Sequence, residues 1–386
     1  MDLSKAFDLV EWTQLFTILK EKNLAPVFLR IMLYVYSNQS CDVRWGSSHS
    51  AKFPVQNGVR QGAVSSPLLF SVYIDGLIKE LRASGLGCRI DNFFYGCLGY
   101  ADDLLLLSAS RSGLQSMVKI CEKFAQAKGL VFSTNEVAAK SKTKCILFGK
   151  VNAAQVDQVV LNGNPLPWVS ELKHLGHILQ SDNTMRSDIL VKRRTFIGTV
   201  NAMVQEFHFT KPDVLMKLVN LYASSFYGSN LWDLYSNQVD KIFKTWNVTV
   251  RNIFGLPWRT HRYWIETLSG CLHPKTFLSS RYVKFVHSLL KGEKSSVRFL
   301  ASICIDDLRT VMGRTLSNLA NETSVAVELL TLNIIKKSLR YCNIPEDEKW
   351  QIPVLKELLM VNDDQLKTEC LTRGEIADII NYLAQD

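Results

Sequence analysis

A chain of 386 residues, 47% hydrophobic and 21% charged, has globular composition and the length for about two or three domains with cores of their own. No run approaches the roughly 18 apolar residues of a membrane span, and the charged opening MDLSKAFD lacks the apolar stretch of a secretory leader. The nine cysteines include no CxxC pair and suggest no disulfide framework, so a soluble intracellular protein with reduced thiols is expected. Lys and Arg outnumber Asp and Glu by 45 to 36, and this excess favours a polyanionic partner. It is unevenly spread: +5 over residues 1–180 (19 basic, 14 acidic), +9 over 181–300 (17 and 8) and −5 over 301–386 (9 and 14). The middle third therefore carries the basic field, and the acidic end is not expected on the same polyanion.

Residues 1–8 read as the end of a strand. Asp8 with Glu11 three positions later forms a capping-box pattern, so Asp8 is expected to open a helix with Trp12, Leu15, Phe16 and Leu19 on one face, and it is read as an N-cap rather than a metal ligand. Pro26 suits the first position of a second helix bearing Val27, Ile31, Met32 and Val35. Residues 41–55 alternate and turn like a hairpin. After the loop VQNGVRQG, helical periodicity runs from Ala63 to about Ser84. The apolar run FFYGCLG, the turn YADD and the apolar run LLLLSA then read as a buried hairpin. Ser112 and Gln115 are expected to cap the next helix, with Leu114, Met117, Cys121 and Phe124 inward and Gly129 stopping it. Strands follow near 130–134, 144–149 and 172–179, with NGNP (162–165) as a turn, and from about 184 the pattern is helical.

Phosphoryl transfer needs carboxylates that hold two divalent ions about 3.5–4 Å apart, and Mg²⁺ prefers oxygen ligands. A strand ending in Asp2 beside a hairpin that presents Asp102 and Asp103 would supply three such carboxylates on rigid elements. Clustered like charges repel, so the arrangement costs stability without a cation. An isolated Asp-Asp pair in a turn is more often merely solvated. Here it lies between two apolar runs, and the order of the surrounding motifs decides the matter.

In that order stand DLSKAFD (2–8), GVRQGAVSSPLLF (58–70), GYADDLLLL (99–107), GLVFSTN (129–135) with SKTKCILFGK (141–150), and LKHLGHIL (172–179). Together they resemble motifs A to E of reverse transcriptases, and WNVTVRNIFGLPWRTHRYWIE (246–266) resembles the region after the core in jockey-like and chicken-repeat-like non-LTR retrotransposons. The resemblance implies an α+β fold: a right-hand polymerase palm, an antiparallel sheet with helices on one face, over 1–181, then a basic helical thumb over 182–270 and an acidic helical region over 271–386. It implies an RNA-directed DNA polymerase acting on an RNA template, a DNA primer and deoxynucleoside triphosphates with two Mg²⁺ ions, or Mn²⁺ in their place, in the nucleus and cytoplasm.

Residue by residue, the resemblance makes Asp2, Asp102 and Asp103 the catalytic, metal-binding carboxylates, joined by the main-chain carbonyl of Leu3. Phe7 becomes the steric gate against a 2′-hydroxyl, although a core aromatic is compatible with that role. Arg60, Gln61 and Gly62 match the loop over the incoming nucleotide, and His174, Leu175 and Gly176 match the primer grip. As neighbours in one strand, His174 and His177 would lie on opposite faces, which argues against a metal pair. Lys140, Lys142 and Lys144 all compete for the proton donor of motif D. Arg186, Lys192, Arg193 and Arg194, around the stripe Met185, Ile189, Phe196, Val200 and Met203, are expected to meet nucleic-acid phosphates, with Arg251, Arg259 and Arg262 interleaved with Trp246, Trp258 and Trp264 extending that character.

A viral RNA-directed RNA polymerase would favour a glycine before the paired aspartates and a smaller gate, against Ala101 and Phe7. Group II intron and telomerase enzymes share motifs A to C, and the 246–266 segment separates them from this chain. A reading of another class is a catalytically inactive remnant or nucleic-acid-binding scaffold that retains the fold; loss of a triad acid would mark it, and all three acids are present. Because motif A starts at position 2, an N-terminal truncation without fingers is expected, with Asp2 at a fraying terminus and poor primer extension by the chain alone.

Overall fold

The apolar runs about YADD become strands and the 3.6-residue stripes become helices in a computed structural model that describes residues 1–135, 137, 140–149, 151–260, 265–266, 269–331, 334–335 and 338–339. The chain divides into two units, Met1–Leu172 with Ser181–Asn183, and Lys173–Gln180 with the chain from Thr184 onward.

The first unit contains β1 (Leu3–Ser4), α1 (Trp12–Glu21), α2 (Pro26–Ser37), β2 (Ser40–Cys41), β3 (Arg44–Trp45), β4 (Ser48–His49), β5 (Phe53–Pro54), α3 (Ser66–Ala83), β6 (Arg89–Ile90) and β7 (Phe93–Phe94). It continues with β8 (Cys97–Tyr100), β9 (Asp103–Leu106), α4 (Arg111–Ala127), β10 (Val131–Phe132), β11 (Cys145–Ile146), β12 (Val160–Leu161), β13 (Asn164–Pro165) and β14 (Trp168–Val169). β8 and β9 form an antiparallel hairpin, and β1 pairs antiparallel with β10 through Leu3 opposite Phe132. An Asp2–Asp103 bridge joins the two pairs, giving the spatial order β8, β9, β1, β10. The wholly antiparallel expectation needs one correction. β11 and β14 run parallel, because the chain between them returns through the β12–β13 hairpin before Trp168 lies beside Cys145.

Buried Phe70, Tyr73, Ile74, Leu77 and Leu81 recur at helical spacing along α3 and pack with Met117 and Cys121 of α4 and with Leu3 and Phe132 of the sheet. The Tyr73 hydroxyl satisfies itself by donating to the Lys128 carbonyl at 2.8 Å. Two helix starts differ from expectation. α1 begins at Trp12 with Glu11 as an N-cap whose side chain makes no cap bond, because the amides of Asp8 and Leu9 turn back to the Lys5 carbonyl and Asp8 is left exposed outside the helix. α4 is capped by Ser110, whose hydroxyl accepts from the Gly113 amide at 3.1 Å. Gln115 is thereby released to exchange two 2.8 Å hydrogen bonds with the main chain of Val160, as a neighbouring strand would. α2 starts at Pro26, and Val27, Ile31 and Val35 are exposed while Tyr36 is buried edge-on to Trp12 and Phe16.

The second unit holds most of the hairpin β15 (Glu171–His174) and β16 (His177–Gln180), then α5 (Arg186–Glu206), α6 (Pro212–Leu218), α7 (Asn237–Phe254), and three helices at Pro274–Lys291, Ser295–Asp306 and Val311–Thr323. The stretch 172–179 is thus not one strand. Leu175 (φ +46°) and Gly176 (φ +79°) adopt left-handed backbone and reverse the chain. Ile189, Phe196 and Val200 form the buried stripe of α5 against Phe226, Trp232, Trp246 and Phe254. No helix among the described residues is long and apolar enough to cross a membrane.

Candidate active site

Asp2 is held from three directions. The Met1 ammonium donates to the Leu104 carbonyl at 2.6 Å and the Leu104 amide to the Met1 carbonyl at 3.0 Å. On the other flank, the Ser133 amide donates to the Asp2 carbonyl at 2.8 Å. The Asp2 amide itself donates to the Thr143 hydroxyl at 3.2 Å. Asp2 is therefore tied to both neighbouring segments. Burial lowers the pKa of the Met1 amine, and the nearby Asp103 charge opposes that shift.

Asp103 stands directly across from Asp2 on the adjoining strand, which brings the two side chains to one face of the sheet. Like charges in this position destabilise by roughly 0.2–1 kcal/mol. Asp102 precedes it in a two-residue turn with Ala101, so the polar turn is shorter than four residues, and Tyr100 and Asp103 are already paired strand residues. Ala101 sits at φ +51°, a conformation that costs a residue with a Cβ about 1–2 kcal/mol. All three aspartates are half-buried. Main-chain carbonyls alternate along a strand, so the Leu3 carbonyl faces the same flank as that of Met1, toward the hairpin of the paired aspartates.

Of the motif D lysines, Lys142 brings its ammonium to 3.9 Å from Asp2 Oδ2. Nothing in the sequence distinguished it from Lys140 and Lys144, because the hydrogen bond and ion pair that link 142–143 to Asp2 span about 140 residues. Three carboxylates and a main-chain carbonyl are the hard oxygen set that Mg²⁺ or Mn²⁺ takes, and two opposed aspartates leave negative charge for a cation to neutralise. The donor chemistry therefore fits a divalent ion. Among the described residues, no three His, Cys, Asp or Glu side chains are already gathered at metal-holding distance.

Phe7 is half-buried and stacks on buried Phe70, with ring centroids 5.1 Å apart, so it packs against the core. The loop between β5 and α3 is tied to it. The Val59 amide donates to the Phe7 carbonyl and the Gly58 amide to the Val10 carbonyl, both at 2.8 Å, and the Trp12 indole donates to the Gly58 carbonyl at 2.8 Å. Gly58 is at φ +90°, and a Cβ there would lie 3.0 Å from main-chain atoms of Phe7 and Asp8, so only glycine lets the two segments close. Arg60, Gln61 and Gly62 follow immediately and are exposed.

In the second unit, His174 and His177 flank the Leu175–Gly176 turn, rather than alternating along one strand as expected. Leu175 is exposed at its tip. Arg186 and Arg194 of α5 are exposed, whereas Lys192 donates to the Gly176 carbonyl at 3.0 Å and Arg193 to the Thr245 hydroxyl at 2.7 Å. Of the interleaved aromatics, Trp246 is core, Trp258 is exposed under the Arg259 guanidinium 4.8 Å above its ring, and Arg251 donates to the Thr260 carbonyl at 2.8 Å. Arg262 and Trp264 lie outside the described residues, as do 340–386 of the acidic C-terminal region.

A family model described as reverse transcriptase (RNA-dependent DNA polymerase) matches residues 1–179. This part of the chain is a reverse transcriptase domain, and it belongs with an enzyme family. Proteins similar to it include products of retrotransposable elements. The chain is 32% identical over 130 residues to the Pol polyprotein of the type-1 retrotransposable element R2 of Nasonia vitripennis, covering 34% of this chain and 13% of that one. It is 27% identical over 211 residues to a putative 115 kDa protein of the element R1DM of Drosophila melanogaster (53% and 19%). It is 23% identical over 271 residues to the RNA-directed DNA polymerase of the mobile element jockey of Drosophila funebris (67% and 28%). The chain thus spans less than a third of the length of these relatives.

Proposed function

We propose that the chain acts as an RNA-directed DNA polymerase of a non-LTR retrotransposon, extending a DNA primer along an RNA template. The observation that carries this reading is the Asp2–Asp103 bridge, which seats two motif aspartates on one face beside the turn holding Asp102. Residues 1–181 would serve as the palm, 182–270 as the thumb and 271–386 as a further helical region. Asp2, Asp102, Asp103 and the Leu3 carbonyl would hold two Mg²⁺ ions. When bound, such ions supply activation of a hydroxyl nucleophile and neutralisation of the charge on a leaving pyrophosphate.

The remaining work falls to side chains of this chain. Phe7, backed by Phe70, fills the space a 2′-hydroxyl would need and so selects deoxynucleotides by overlap. Exposed Arg60 offers its guanidinium to the triphosphate, and Gln61 and Gly62 bring main chain close to the nucleotide. Lys142, whose ammonium lies 3.9 Å from Asp2 Oδ2, would give a proton to the pyrophosphate oxygen as it leaves. The turn at His174–Gly176 would seat the primer end, and Arg186 and Arg194 would meet phosphates. The inactive-scaffold reading gains nothing from the geometry, since all three carboxylates are retained.

Primer extension on an RNA template with Mg²⁺ and deoxynucleotides tests the proposal. Synthesis should fall by at least about a thousandfold in Asp102→Asn, the scale expected for groups that stabilise transition-state charge, while Phe7→Val should admit ribonucleotides. Synthesis that survives both Asp2→Asn and Asp102→Asn would overturn it.

A further inference from the structure

The first turn of the basic helix α5 contains an acid, Asp188, that is 1% exposed. A carboxylate withdrawn from water this completely must be repaid by donors. Its Oδ1 accepts from the Ile178 amide at 3.1 Å, and its Oδ2 accepts from the indole of fully buried Trp232 at 2.9 Å. Ile178 is the second residue of β16, so the carboxylate reaches back from the helix to the hairpin.

The neighbouring side chains close around the same turn. The His177 ring stacks on Tyr227 at 5.2 Å, with its Nδ1 3.9 Å from Asp188 Oδ2. Gly228, at φ +80°, lies so close to that imidazole that any Cβ would overlap it. One helical turn beyond Asp188, the Lys192 ammonium donates to the Gly176 carbonyl at 3.0 Å and lies 5.4 Å over the Tyr227 ring. α5 therefore grips the hairpin at two points, by Asp188 behind the turn and by Lys192 on the turn.

We propose that Asp188 is a positioning residue, which with Trp232 fixes the orientation of the His174–Gly176 turn and through it the seat of the primer 3′ end. This rests on the primer-seat reading above. An apolar pair in the place of Asp188 and Trp232 could fill the same volume, but it would leave the Ile178 amide without an acceptor and Lys192 as the one remaining grip of α5 on the turn among the described residues. Placement of a reacting strand end tolerates displacements of only about 1 Å.

The test compares Asp188→Asn and Trp232→Phe with Val200→Ala, a core truncation on the same helix that controls for stability alone, all in the full chain. Asparagine has one acceptor oxygen for two donors, and phenylalanine keeps a smaller aromatic ring without the N–H, a loss of volume that the Val200→Ala control addresses. Hydrogen exchange at the Ile178 amide should accelerate about tenfold in both variants, and the KM for primer–template should rise about tenfold with the KM for deoxynucleotide unchanged. Val200→Ala should lower the melting temperature without either effect. If the two variants behave like Val200→Ala, or if both KM values move together, the proposal is overturned. Faster exchange with an unchanged primer KM would overturn the assignment to primer placement. Failure of the polymerase reading itself would appear separately, in the parent chain, as an absence of synthesis or as synthesis independent of Asp102.

Discussion

Asp2 and Asp103 oppose each other on paired strands, where their like charges repel. Asp103→Asn should therefore melt at a slightly higher temperature than the parent in EDTA, by the equivalent of up to about 1 kcal/mol. Millimolar Mg²⁺ should stabilise the parent and not the variant, because binding to the folded state alone raises stability by mass action. Thermal melts of both proteins with and without Mg²⁺ measure this directly, and equal Mg²⁺ shifts would show that the pair does not bind the ion. The cysteines give a second expectation at this scale. Desolvation pushes the Cys97 and Cys145 thiols up to about 11 and raises that of Cys121 further, so at pH 8 they stay protonated and unreactive. Among the described cysteines, exposed Cys41 should be alkylated first in native protein, a preference that peptide mass spectrometry should see vanish in denaturant.

At the scale of elements, α5 divides its own charges. Arg186 and Arg194 are exposed, while Lys192 and Arg193 are engaged with Gly176 and Thr245. Arg186→Ala and Arg194→Ala should each lower the salt dependence of nucleic-acid binding by about one unit of log–log slope with little loss of stability. Lys192→Ala and Arg193→Ala should cost stability as well, by about 1 kcal/mol each. Titrations over a range of salt, paired with melting curves, separate the two groups, and identical behaviour of all four would refute the division. The basic stripe was readable from composition and spacing. Which members remain available to phosphate was not, because Thr245 and Gly176 come to the helix from elsewhere in the chain.

At the scale of the molecule, two hydrophobic clusters form, one centred on Phe70, Tyr73 and Leu77 and the other on Phe196, Trp232 and Trp246, in separate units. Each core is large enough to unfold cooperatively, so a single two-state description should fail. Native-state hydrogen exchange in rising denaturant should resolve two sets of protected amides with different slopes, one from α3 and α4 and one from α5 and α7. A single shared slope and midpoint would show that the cores unfold as one. The chain passes between the units at 172–173, 180–181 and 183–184, so a simple boundary near 181 in the sequence does not describe this division.

The sequence by itself determined the reverse transcriptase likeness of residues 1–179, because motif order and the spacing of apolar runs around YADD are local patterns written in consecutive residues. It also determined most helices, whose stripes need only neighbours three and four positions apart. Only the tertiary structure decided that Asp2 faces Asp103, that Lys142 rather than Lys140 or Lys144 approaches them, and that Gly58 closes the loop onto Phe7. The helix starts at Trp12 and Arg111, misplaced from capping patterns, and the turn at Leu175–Gly176 were decided there too. So was the burial of Asp188, an acid that looks like one more solvated charge in a basic helix. The physical reason is common to all of these. Strand register, left-handed backbone at Ala101 and Leu175, and the fate of a single charge depend on contacts between residues far apart in the chain, and such contacts leave no periodic trace in the order of the amino acids.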